Sequence, residues 1–269
     1  IFILVVLWTA FPPAIKAIFS TLYVPISLAA LGIVLRGAGF AFGKSIEGPR
    51  ERRLAGATFA LSSVLTPFFM GTVVGAIAAG HVPADGNGEA FSSWIQPLPL
   101  LVGGMFVAAG AYLSAVFLVG DARRAGEADM EAYFVRRALG AAAVAGLAAA
   151  VGLIELHAEA RYVFDRLVDQ GLPLVILSTI CGIGLLAALL RGWRRPIRPL
   201  AAGAVIAVIW GWAVAQFPYL LPTSLRIDQA AAPDPTLTVI FIVFAIAAVL
   251  VLPSLFLLYT LSQRDLLEH

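Results

Sequence analysis

Charge is scarce in this sequence: Asp, Glu, Lys and Arg make up 13% of its 269 residues, where soluble domains carry roughly 25%. Apolar residues make up 61%. A chain of this size cannot hide so much apolar surface inside itself, so the bilayer must be its solvent. The single cysteine, Cys181, excludes an intrachain disulfide and lies in an apolar run, as an ordinary membrane-buried thiol would. Histidine is nearly as rare, with His81, His157 and His269. Haem or metal ligation needs an imidazole inside a bundle with a facing partner. None of the three is mid-segment, and no His/Cys/Glu set has metal spacing. Phosphate-loop, GxGxxG and nucleophile motifs are absent, and no basic patch interleaves with aromatics, so no nucleic acid is expected as partner. Ile1 already stands in an apolar run with no basic region before it; this is not the pattern of a signal peptide, and suggests a sequence that begins part-way through a longer protein.

Eight apolar segments are present, at roughly 1–19, 22–43, 54–80, 97–120, 135–157, 172–191, 199–218 and 236–262. Each approaches the ~20 residues that cross a hydrocarbon core. The expected fold class is therefore an all-α polytopic membrane protein of about eight transmembrane helices, with residues 1–269 forming a single transmembrane domain. The stretch FPPAIKAIFSTLYVP (11–25) reads as a turn near the surface, because Pro12, Pro13 and Pro25 interrupt the helical ladder and Lys16 favours the interface. Basic residues alternate between loops: 44–53, 121–137 and 191–198 hold twelve, whereas 81–96, 158–171 and 219–235 hold three (Arg161, Arg166 and Arg226). The positive-inside rule then places the basic loops and the C-terminus in the cytoplasm. Gly71 with Gly75, Gly140 with Val144, and the small-residue run from Leu139 to Gly152 point to tight helix packing.

Intramembrane polar groups are the default functional candidates. Glu155, His157 and Glu159 in LIELHAEARYVFDR form the densest cluster, with the two carboxylates on one helix face and the imidazole roughly opposite. A proton relay is one reading; the other is that the outer end of the segment places charge where it is cheap. Arg36 either snorkels to the surface or meets an acidic group on a partner helix. The stretch WAVAQFPYLLPTSLRIDQAAAPDPTLTV (212–239) reads as a rigid extracytoplasmic joint. Pro218 and Pro222 end one helix, Gln216 and Ser224 can satisfy the freed backbone groups, and Asp234–Pro235 starts the next helix.

Two stretches carry a family resemblance. FPPAIKAIFSTLYVPISLAALGIVLRGAGFAFGKSIEGPRERR resembles the second and third helices, and the following basic loop, of subunit II of cytochrome bd-type quinol oxidases. AQFPYLLPTSLRIDQAAAPDPTLTVIFIVFAIAAVLVLPSLFLLYTL is similar to that family's last hairpin. The resemblance implies a nine-helix fold of two four-helix bundles plus a peripheral helix, of which 1–120 would be the end of the first bundle and 135–262 the second with the peripheral helix. It also implies that this chain binds no haem. Subunit I, its homologous partner in a prokaryotic plasma membrane, would hold the b- and d-type haems and the quinol site, oxidise quinol and reduce O2 to water. A structural quinone or lipid and small single-helix subunits are compatible with the resemblance. The family's first helix and its proton-path residues are missing from this sequence. Ala41 stands where the family often has an acidic residue, so any proton step here would fall to another group such as Glu47. The competing class is a secondary transporter or channel subunit, against which the scarcity of midplane charge argues.

Overall fold

A computed structural model of the chain describes residues 2–43, 48–193 and 195–263. Eleven helices and one small hairpin are found among them. Two short helices, α1 (Phe2–Ala10) and α2 (Pro12–Thr21), precede α3 (Tyr23–Gly43), α4 (Pro49–Ala78), α5 (Pro97–Arg124) and α6 (Ala128–Glu159). There follow α7 (Arg161–Asp169), α8 (Leu172–Leu190), α9 (Ile197–Gln216), the strands β1 (Tyr219–Leu221) and β2 (Leu225–Arg226), α10 (Ile227–Ala230) and α11 (Asp234–Gln263). Seven helices (α3, α4, α5, α6, α8, α9 and α11) are long and apolar enough to cross a membrane, or eight spans if α1 and α2 count as one bent pair.

The expected span 1–19 is thus not one continuous helix. The chain bends by 117° between Leu4–Ala10 and Pro12–Thr21, because a residue before proline is pushed out of the α region and Pro12 is preset for the first turn of a new helix. The turn expected over 11–25 is accordingly a short helix between breaks at Phe11 and Leu22. Several helices also outrun the expected segments. At 32 residues, α6 is ~48 Å long at 1.5 Å per residue, against a hydrocarbon core of ~30 Å. Its first turns, with Asp129, Glu131, Arg136 and Arg137, therefore extend past the lipid.

The chain divides into two compact units, residues 1–15 with 227–269 and residues 16–226. In the first, the Ala232 N–H donates to Ala10 O at 2.8 Å, tying the end of α1 to the approach to α11. The second holds the apolar cores. Tyr112, Val116 and Val119 of α5, Ala138 of α6, Leu185 and Leu189 of α8, and Ile197 and Ala201 of α9 pack together as a four-helix core.

Helices α4 and α5 cross at unusually short range. A Cβ added to Gly71 would fall 2.8 Å from Gly103 Cα, one on Gly75 would fall 2.6 Å from Pro99 Cα, and one on Gly103 would fall 2.8 Å from Phe68 O. Lipid offers no hydrophobic drive for helices to associate, so such backbone contact gains dispersion energy that bulkier side chains would forfeit. Gly71 and Gly75 are thus packing residues. The small residues of α6 behave differently: nothing lies within 4 Å of a Cβ built on Gly140 or Gly146, and the one on Gly152 meets Met105.

Candidate functional site

Polar side chains of unit 16–226 concentrate at the two ends of its helices. At one end stand the connections 79–96, 160–171 and 217–226. Here the Ser224 hydroxyl donates to Val82 O at 3.4 Å and the Tyr162 hydroxyl to Phe217 O at 3.4 Å. Ser20 of α2 donates to Gly86 O at 2.9 Å, so the loop after α4 lies against the α2–α3 break. At this end His81 Nδ1 stands 3.2 Å from Ser93 O.

Glu155, His157 and Glu159 occupy the last turns of α6. The Leu98 N–H donates to Glu159 Oε2 at 3.3 Å. Leu98 is the second residue of α5, whose first N–H groups have no partner within the helix and whose dipole favours an anion there. Pro97 supplies the preset first residue. Glu155 is half-buried one turn earlier on the same face. His157 is exposed, with Nε2 3.4 Å from an Arg161 nitrogen and its ring edge-to-face with Phe164 at 4.6 Å. The two carboxylates and the imidazole are therefore not brought to one point: Glu159 turns to α5, and His157 turns to the short helix α7. Glu47 lies outside the described residues, as does His269.

The proline-rich joint is more ordered than a plain loop. Gln216 ends α9, and its Nε2 donates to Leu220 O at 2.7 Å. The Phe217–Pro218 peptide is cis. Beyond it, β1 pairs antiparallel with β2, with Tyr219 opposite Arg226 and Leu221 opposite Leu225. Pro222 and Thr223 form the tip, where Thr223 has φ +62°. Leu221 is buried with Val82, Trp94 and Leu22, so the hairpin plugs into the space between the α4–α5 loop and the α2–α3 break.

The opposite end holds the described residues of the basic loops 121–137 and 191–198. Arg198, near the start of α9, donates to Asp121 Oδ1 at 2.6 Å and to Phe117 O at 2.9 Å. Its guanidinium carbon lies 5.0 Å from the Phe117 ring centroid. Arg124 donates to the same Asp121 oxygen. A Cβ on Gly120 would fall 2.8 Å from the guanidinium; the glycine is what lets Arg198 lie flat on α5. Arg36 is exposed in α3 with its guanidinium carbon 5.2 Å from the Phe59 ring centroid.

Among the described residues, no group of three or more His, Cys, Asp or Glu side chains converges as a metal site would. Sequence reasoning missed α7, the hairpin and the Arg198–Asp121 bridge. The bridge had a legible signal, an acid beside a glycine at a basic helix end. The partnering of positions 121 and 198, far apart in sequence, did not.

The family model described as cytochrome bd terminal oxidase subunit II matches residues 1–262. A comparison with curated protein sequences finds no match. Among solved structures, a chain of the bd oxidase from Geobacillus thermodenitrificans superimposes with a TM-score of 0.71 at 22% identity, covering 88% of this chain and 72% of that one. At that identity the likeness speaks for the fold.

Proposed function

Because this chain belongs to the cytochrome bd terminal oxidase subunit II family, we propose that it is the haem-free subunit of a quinol-oxidising, oxygen-reducing terminal oxidase in a prokaryotic plasma membrane. Membership makes it a multi-pass component of a respiratory oxidoreductase. The finer reading is that a homologous subunit I carries the b- and d-type haems and the quinol site, and performs the redox chemistry. The family match along residues 1–262 carries this reading. The haem-free part is supported by placement: His81 lies just past the end of α4 and bonds a backbone carbonyl, and His157 is exposed beside Arg161.

In this reading the chain works as a scaffold. We take Glu155, His157 and Glu159 as the water-facing end of α6 rather than as a proton relay, since Glu159 is engaged with the α5 backbone and a cation stands next to His157. Gln216, Pro218, Pro222 and Ser224 are structural, fixing the hairpin that closes the outer end. The basic loops, and with them the C-terminus, face the cytoplasm.

The test is visible spectroscopy of the complex purified in mild detergent. Bands of b- and d-type haem are expected, and unchanged bands in His81→Ala and His157→Ala variants. A complex without those bands would remove the oxidase reading. Loss of a band in either variant, with assembly intact, would remove the haem-free assignment.

A further inference from the structure

We propose that the contact between α7 and α9 holds an ordered water molecule, bound by Trp212 and Gln216 beside Arg166. Gln216 is 8% exposed. Its amide nitrogen is satisfied by Leu220 O, but its Oε1 is buried with no hydrogen-bond partner among the described residues. Trp212 Nε1, one helical turn earlier and hence on the same face, is buried and equally without a partner. A third such atom, Arg166 Nε, belongs to α7.

The packing brings α7 to this face. Leu167 Cδ1 lies 3.4 Å from the position of a Cβ on Gly211, the neighbour of Trp212. Tyr162, Leu167 and Trp212 also pack against one apolar cluster with Leu98, Val163 and Ala215. Arg166 itself is held in place, donating to Gln170 Oε1 at 2.6 Å with its guanidinium carbon 5.8 Å from the Tyr162 ring centroid.

Buried polar groups are paired with protein or with ordered water. The three atoms comprise two donors and one acceptor. An anion would face the Gln216 oxygen, and a metal ion would face the Arg166 cation and the indole N–H. Water alone of these accepts from the donors and donates to the acceptor. The site pins the short helix α7 to the end of α9 at the point where the proline joint begins.

A structure of the purified oxidase complex at a resolution that shows waters should contain density within hydrogen-bond distance of both Trp212 Nε1 and Gln216 Oε1. Absence of such density, or a protein or lipid group bonded to these atoms instead, overturns the proposal. A second measurement reads the energetic link in the same complex. Trp212→Phe and Gln216→Leu should each lower the melting temperature, and the double variant should lose less than the sum, because the bridging water is lost only once. Strictly additive losses would also overturn it.

Discussion

Arg198 shows how one side chain joins distant parts of the chain. It satisfies a carboxylate and a backbone carbonyl of α5 with the same nitrogen while its face covers the Phe117 ring. Its side chain is 27% exposed and that of Asp121 is 50% exposed, so water weakens the pair without erasing it. Removing it in Arg198→Ala should cost about 1–2 kcal/mol, between an exposed ion pair and a hydrogen bond to a charged group. Thermal unfolding of the purified complex checks this, and Arg198→Lys should recover under half of the loss because an ammonium cannot lie flat over the ring while reaching both acceptors. Thr223 is a different case. A β-branched residue at φ +62° is held in the left-handed region at a cost of roughly 1–2 kcal/mol. Thr223→Gly should therefore raise the melting temperature, because the relieved strain outweighs the added flexibility of the unfolded chain, about 0.5–1 kcal/mol. An unchanged or lower melting temperature would show that the neighbours of the tip, not its backbone, decide its stability.

At the scale of the element, adjacent glycines on α5 separate packing from propensity. Gly103 lies against Phe68 O and the Thr72 methyl, both 2.8 Å from an added Cβ, whereas nothing lies within 4 Å of one on Gly104. Gly103→Ala forces two helix backbones apart and should cost about 1–3 kcal/mol as overpacking does. Gly104→Ala adds a methyl into open space and should stabilise the helix by up to ~1 kcal/mol. Melting temperatures of the two variants, which differ by one position, should move in opposite directions. Sequence reading found the partners on α4, Gly71 and Gly75, from their four-residue spacing. It did not distinguish Gly103 from Gly104, since a GG pair has no face of its own until the crossing is known. The same limit explains α6, whose glycines at 140 and 146 carry the packing pattern while no described residue lies within 4 Å of a Cβ built on either. For α7 the obstacle was length: nine residues between two long apolar segments look like a loop until Val163 and Leu167 are seen to pack on the α5–α9 contact.

The whole molecule was legible chiefly through charge. Six loops alternating between many and few basic residues supported the count of spans and set the expected orientation. Within unit 16–226 the described residues of the connections 121–127 and 191–197 lie at one end and those of 79–96, 160–171 and 217–226 at the other. Arg198 meets Asp121 at one end, while Ser224 meets Val82 and Glu159 meets Leu98 at the other. The first span was not legible in this way, because Lys16 gives a single charge and the breaks at Phe11 and Leu22 come from proline placement. The alternation has a direct consequence for orientation. Juxtamembrane Lys and Arg resist translocation, so the loops of 121–137 and 191–198 are expected in the cytoplasm and the 81–96 loop outside. Ala84 and Ala125 are both exposed and stand in loops of opposite type, and the native Cys181 lies within α8, away from both. In intact cells, a membrane-impermeant maleimide should label an Ala84→Cys variant and leave an Ala125→Cys variant unlabelled until the membrane is permeabilised. The reverse pattern would invert the entire topology, because every later span follows from these two loops, and would place the C-terminus outside.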